Sequence, residues 1–460
     1  MSERKFEGRM SDTDALMWTV EKDPLLRSTI TAIALLDQTP DHDRVLEKID
    51  RGVRMIPRLR QRVVAPPLGV APPEWIYDHN FDLNYHLRFV RSAGDGSMRD
   101  LLDMAAPLAM QGFDRARPLW EFTVIEGLAD GRAAMIQKVH HAVTDGVGGI
   151  ELALMLLDAE RDPGPDTTPL PAMEPAERPS PMKLLREGVA HEMRRQLGIV
   201  RRTAASVPGA ATDVPGAARG TAEVLQSLVR MLAPATTPLS PIMTERSLSV
   251  RFDVLSAPLG ETKAAANRVG ARLNDAFVAA VAGGLARYHR RHGIDVDALR
   301  MSMPINIRTA ESETLGGNQF VPARFPVPMA IADPAERMAT IRNLVAVQKA
   351  EPALALTMPI AGVLNRMPTT LVTQLFGGML KGVDFVTSNV PGAPFEVFLG
   401  GAKVEGNFAL GPLAGAAINI TLLSYLDELQ VGVNSDPAAV PDPEVLLECL
   451  AEGFEEIRKA

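Results

Sequence analysis

The 460-residue chain has a single cysteine, Cys449. One thiol excludes an intrachain disulfide and a cysteine-based zinc site, and it suits a reducing cytoplasm. Aromatic residues make up only 5%, so the core has to be built from aliphatic side chains. Basic charge is short as well. With 48 Lys and Arg against 56 Asp and Glu, the formal charge is −8, which argues against nucleic acid as the main partner. Residues 1–22 carry scattered charges and no apolar segment of a secretion signal. The longest uncharged stretch, residues 406–426, is long enough to raise the question of a membrane span. Asn407, Pro412 and Asn419 interrupt it, and residues 417–425 read as a buried strand. Several catalytic signatures are missing: there is no Gly-x-Ser-x-Gly elbow, no P-loop and no Rossmann fingerprint. His191-Glu192 opens like a zinc-protease helix, but Arg195 stands where the second histidine is needed.

The length exceeds the roughly 250–300 residues at which a single core stops growing, which predicts two domains or lobes. Hydrophobic residues at 46% and charged residues at 23% fit a globular protein. Residues 29–36 read as a strand and residues 43–53 as a helix. Residues 120–125 and 133–139 read as paired strands, with Gly127 and Asp130-Gly131 as turn signals. Seven prolines between Pro163 and Pro181 mark a linker. Residues 182–202 then read as a basic helix with Leu185, Val189, Met193 and Leu197 four residues apart. Such a helix either packs that stripe on the protein or lays it on an anionic membrane. Beyond Pro241, residues 248–255 read as a strand. Residues 274–289 read as a helix with Asp275 at its start, and residues 444–459 as a closing helix that holds Cys449 in the core. The expected division is an N-terminal lobe over 1–160, a linker and helical crossover over 161–240, and a C-terminal lobe over 241–460.

The stretch Val139-His140-His141-Ala-Val-Thr-Asp145-Gly146 follows an apolar strand and precedes a helical run. It is predicted to be a strand-to-helix loop, where catalytic groups concentrate. Three readings apply. A histidine serves as a general base near neutral pH. Alternatively, His140, His141 and Asp145 bind a metal, although adjacent residues of a strand point to opposite faces. In the third, one histidine packs in the core and Asp145 caps the helix.

His-His-x-x-x-Asp-Gly resembles the signature of coenzyme A-dependent acyltransferases and peptide-synthetase condensation domains. Other elements are similar to those of the bacterial wax ester synthase/acyl-CoA:diacylglycerol acyltransferase family, in the same order. They are Asp14-Ala-Leu-Met-Trp18, Pro57-Arg-Leu-Arg-Gln-Arg62, Phe81-Asp-Leu-Asn-Tyr-His86, Arg117-Pro-Leu-Trp120-Glu, Asn274-Asp275, Met301 to Arg308, Gly317-Asn318, Ser388-Asn-Val-Pro-Gly392 and Ser424-Tyr425. The resemblance implies an α/β, two-lobed fold like chloramphenicol acetyltransferase, each lobe a mixed sheet with helices, with a tunnel between the lobes. It also implies transfer of a long acyl chain from acyl-CoA, as co-substrate and with no bound cofactor or metal, to diacylglycerol or a fatty alcohol. His141 is then the general base and His140 a supporting residue. Asp145 is structural, paired with Arg308, and Gly146 lets the backbone turn tightly. Asn274 is a helix cap or a site residue, and Ser388 and Asn389 line the channel or make a turn. Trp120 is read as packing. Substrates this apolar imply a cytoplasmic protein, peripheral at the inner membrane face or on lipid droplets. Two alternatives keep the fold: an enzyme taking acyl groups from a carrier protein, and a non-catalytic lipid-binding protein. The sequence departs from the family pattern at Ser240-Pro241-Ile242, at Leu426-Asp427 after Ser-Tyr, and at Pro24 to Thr29, which puts the acceptor in doubt more than the chemistry.

Overall fold

The computed structural model describes the chain except residues 1–7, 144–148, 150–152, 154, 165–167, 171, 174, 175, 177, 211–236, 307–319 and 352–356. The strand predicted over 29–36 is β1 (Thr29–Leu36), and its alternation decides what covers it. Ala34 and Leu36 meet Val45, Ile49 and Val53 of helix α2 (His42–Met55) on one side; helix α1 (Asp12–Val20) precedes β1 in the chain. Ile33 and Leu35 meet Leu101 and Leu102 of α3 (Met98–Met110) on the other side. Asp41 caps α2 by accepting the Arg44 N–H, and Ser97 with Asp100 closes a capping box on α3. Two short strands, β2 (Gln61–Val64) and β3 (Glu74–Tyr77), pair beside this lobe. β4 (Leu87–Arg91), β5 (Trp120–Glu126) and β6 (Ala133–His140) complete its own strands. The predicted β5–β6 turn has Gly127, Asp130 and Gly131 at positive φ.

After the linker come helix α4 (Pro181–Ala210), β7 (Arg251–Pro258), α5 (Leu259–Arg268), α6 (Leu273–Arg291), β8 (Ala298–Asn306) and β9 (Phe320–Pro328). The chain continues through α7 (Pro334–Lys349), α8 (Thr357–Leu364), α9 (Thr369–Leu380), β10 (Phe385–Pro391), β11 (Phe398–Leu399), β12 (Ala402–Leu410), β13 (Ile418–Tyr425), β14 (Glu428–Ser435) and α10 (Pro443–Lys459). The stretch raised as a membrane span is therefore β12 and β13. Among the described residues, no helix is long and apolar enough to cross a membrane.

Two six-stranded mixed sheets result, in the orders β11-β12-β1-β6-β5-β4 and β7-β14-β13-β10-β8-β9. The first corrects the expected division at residue 240. β11 and β12 come from the C-terminal part of the chain, yet β12 pairs with β1 from Thr31↔Leu410 to Leu36↔Val404. The core of the second lobe is α6, buried almost all round, with α10 crossing it; Cys449 lies fully buried there, as expected. At the junction, Gly432 of β14 lies so close to β12 that a Cβ would sit 2.1 Å from the Ala409 carbonyl oxygen. Neither backbone can yield without shifting a lobe. Gly432→Ala is therefore expected to destabilise the protein by about 1–3 kcal/mol, read as a lowered urea midpoint.

The end of the crossover is tied to the second lobe. The backbone N–H groups of Leu239, Ser240 and Arg300 all donate to the buried Asp384 carboxylate. Ser240 Oγ lies 2.8 Å from His289 Nε2, while His289 Nδ1 donates to the Leu285 carbonyl. The unusual Ser240 thus anchors the linker and does not face the cavity. Burial lowers the pKa of His289, and of His86 in the first lobe, so the charged form of each is disfavoured in the folded state. Unfolding lets them take up protons below their ordinary value of about 6.5. Stability is therefore expected to fall as pH drops below that value, with a shallower slope in His289→Gln; denaturation midpoints across this range measure it.

Candidate active site

The register Thr29↔His140 puts the end of β6 beside the start of β1, and the His141 N–H donates to the Ser28 carbonyl at 2.8 Å. Strand alternation then sends the two histidines to opposite faces. Gln137, Val139 and His141 face a cavity of about 440 Å³ between the two sheets. His140 points the other way and is buried. α2 covers this face of the first sheet at one end and leaves the end near His141 open. Across the cavity, β8 and β10 are hydrogen-bonded only at Phe385↔Met301 and Val386↔Ser302. Beyond that they part, and Pro304 and Ser388 on either side of the gap line the cavity. Helices α1, α8 and α9 close it with apolar residues such as Leu16, Ile360 and Phe376. The volume lies within the roughly 300–1,000 Å³ of small-molecule sites, and its walls are mostly aliphatic.

Behind His141, a buried network fixes the loop. His140 Nδ1 accepts the Ala142 N–H at 2.9 Å, which places the ring proton on Nε2. Glu21 Oε1 is 3.0 Å from that nitrogen, a contact whose angle falls short of a full hydrogen bond. The same carboxylate accepts the Ser28 N–H at 2.6 Å. Burial pushes the Glu21 carboxyl up, but His140, the Ser28 N–H and Arg115 outweigh it and hold it below the usual carboxylate range. Glu21 was not found by the sequence reading. No local pattern marks it, because it becomes relevant only when β1 and β6 pair.

Three of the quoted sequence elements form the support of this loop. The Leu119 carbonyl accepts the His140 N–H at 3.0 Å. Trp120 is fully buried, donates from Nε1 to the Leu59 carbonyl at 2.7 Å, and stacks on His86. His86 in turn stacks on Phe81 and donates to the Trp120 carbonyl. Trp120 is thus packing, not a cavity residue. On the far side, a Cβ on Gly392 would lie 2.0 Å from the Ser424 carbonyl oxygen, so Ser388-Asn-Val-Pro-Gly392 and Ser424-Tyr425 meet directly. Leu426, where the family carries glycine, adopts φ +52° in the β13–β14 turn.

Of the expected site residues, His141, Ser388 and Asn389 line the cavity. Asn274 does not; it sits inside α6 with its amide 3.7 Å from Met303 Sδ, and the N-cap position belongs to Arg272. The helix-cap reading of Asn274 is corrected by this. Asp145, Gly146, Arg308, Gly317 and Asn318 lie outside the described residues. Among the described residues, no group of three His, Cys, Asp or Glu side chains forms a metal-ion site.

Two mixed sheets facing one another across an apolar cavity, with a histidine at the end of a strand, define the two-lobed fold shared by these acyltransferases and condensation domains. The first condensation domain of the CDA synthetase matches with a TM-score of 0.63 at 16% identity, over 98% of this chain and 95% of its own. The wax ester synthase/diacylglycerol acyltransferase from Marinobacter aquaeolei VT8 matches with a TM-score of 0.62 at 22% identity, over 98% of both chains. Residues 10–277 match the wax ester synthase/diacylglycerol acyltransferase catalytic domain, and residues 316–458 match the WS/DGAT C-terminal domain. A "Putative diacyglycerol O-acyltransferase" of Mycobacterium tuberculosis H37Rv is 39% identical over 99% of this chain and 94% of its own. The chain belongs to the wax ester synthase/diacylglycerol acyltransferase family.

Proposed function

We propose that the protein transfers a long acyl chain from acyl-CoA to a lipophilic alcohol, diacylglycerol or a fatty alcohol, at the mouth of this cavity. The observation that carries the reading is His141 on the wall of an aliphatic cavity wide enough for a small-molecule ligand. Neutral imidazole takes the acceptor hydroxyl proton as the oxygen attacks the thioester carbonyl. The carbon–sulfur bond then breaks, and the proton passes from His141 to the departing thiolate, so no acyl-enzyme forms. Ser388 and Asn389 are among the polar residues of the opposite wall, with Ser302, Arg324, Asn419 and Thr421, and hydrogen-bond donors there stabilise the oxyanion of the tetrahedral intermediate. Asp145 and Arg308 are assigned to holding the loop by the family resemblance alone. With acceptors this apolar, the protein works as a peripheral protein at a membrane or lipid-droplet surface. Thiol release from palmitoyl-CoA across diacylglycerol, monoacylglycerol and long-chain alcohols tests the reading. Acceptor-dependent release supports it, and release with none of these acceptors overturns it. Running carrier-bound palmitoyl alongside palmitoyl-CoA identifies the donor.

A further inference from the structure

We propose that the outward face of α4 is the surface by which the protein docks on anionic phospholipid, an inference that rests on the peripheral lipid-surface reading above. Of the stripe read at four-residue spacing, Leu185 is half-buried, while Val189, Met193 and Leu197 are exposed, Met193 by 62%, as is Met182 one turn earlier. The helix docks instead through Leu184, Gly188 and Arg195. A Cβ on Gly188 would lie 2.9 Å from Val70, and Arg195 binds the Asp12 carboxylate through both Nη atoms at 3.0 and 2.6 Å. The outward face runs about 22 Å along the axis from Met182 to Leu197 at 1.5 Å per residue.

Its charge selects the occupant. Between Pro181 and Arg202 there are six Lys and Arg but two Glu, in a chain of net charge −8. Arg186 and Arg194 stand exposed along the apolar stripe. Basic residues flanking an exposed apolar helix face suit an anionic lipid interface. A second copy would bring two such basic faces together, which like-charge repulsion opposes. Position fits as well. Arg195 packs against Gly362 of α8 as well as Asp12 of α1, and both helices line the cavity. The segments that grip α4 carry further exposed apolar residues: Leu68 beside Val70, and Met367 next to Arg366, which pairs with Glu192. A lipid surface on α4 therefore lies one helix away from the cavity.

The test is flotation of the full chain with mixed phosphatidylcholine–phosphatidylglycerol vesicles and with pure phosphatidylcholine. The expected result is salt-sensitive flotation with the mixed vesicles only. Each basic residue near an anionic surface is worth roughly a five-fold change in partitioning, so the double change Arg186→Glu, Arg194→Glu should cost about 25-fold or more. Met193→Asp should also reduce flotation, and turnover on detergent-dispersed acceptor should be unchanged in each variant. Flotation indifferent to these changes overturns the proposal, as does a concentration-dependent dimer that Met193→Asp dissociates. Absent turnover in detergent alongside variant-sensitive flotation would instead reject the acyl-transfer reading and leave the docking surface supported.

Discussion

Replacing His141 by alanine is expected to lower acyl transfer by about 10²–10⁴-fold, the usual contribution of a positioned acid–base group. The loss should fall on kcat, because the cavity is built from both sheets and three helices and does not depend on this ring. Unfolding midpoints should change far less than activity. His140→Ala offers the contrast. That ring lies in the buried network with Glu21 and the Ala142 N–H, so its removal leaves buried polar groups without partners and lowers stability together with rate. Steady-state kinetics and urea unfolding on the two variants separate the histidine that acts from the histidine that holds.

Glu21→Ala is expected to reduce turnover by about 10²-fold, although Glu21 lies on the side of β6 away from the cavity. The carboxylate ties the Ser28 N–H to His140, and Ser28 in turn receives the His141 N–H. Releasing that tie shifts the loop, and a displacement of about 1 Å at a reacting group costs on this scale. Stability should fall by about 1–3 kcal/mol, from buried donors left unpaired. Glu21→Gln should recover most of the activity, because an amide oxygen still accepts the Ser28 N–H and stays in contact with the His140 ring. A residue with only a general stabilising role would show no such rescue of kcat. Since its pKa is lowered, Glu21 stays ionised down through the ordinary carboxylate range near pH 4.5. Its contribution to stability is present above that range and is lost only as pH falls through the depressed value.

Local pattern carried much of the first lobe. β1 and the β5–β6 pair were readable from alternation and turn residues, and the histidine motif marked the end of β6. What local pattern could not carry was pairing between distant segments. β12 belongs beside β1 because of a register that no window of sequence contains, and the cavity opens because β8 and β10 part after two residue pairs. Glu21 was invisible for the same reason. On α4, the four-residue apolar spacing was real but could not say which face packs, and most of that stripe is exposed. The face that packs holds a glycine and a paired arginine, whose burial makes sense only once Val70 and Asp12 are in place. The ordered family elements pointed correctly to the architecture, and the structure gives several of them a physical task in holding the histidine loop.

In the proposed reaction His141 acts on the acceptor hydroxyl with donor and acceptor bound together. Rapid-mix measurement of free CoA and ester, from palmitoyl-CoA with and without diacylglycerol or a long-chain alcohol, tests it most directly. The prediction is one ester per CoA released, no burst of CoA before acceptor is added, and loss of both signals in His141→Ala. A stoichiometric burst of CoA without acceptor, or equal ester formation by His141→Ala, would contradict it.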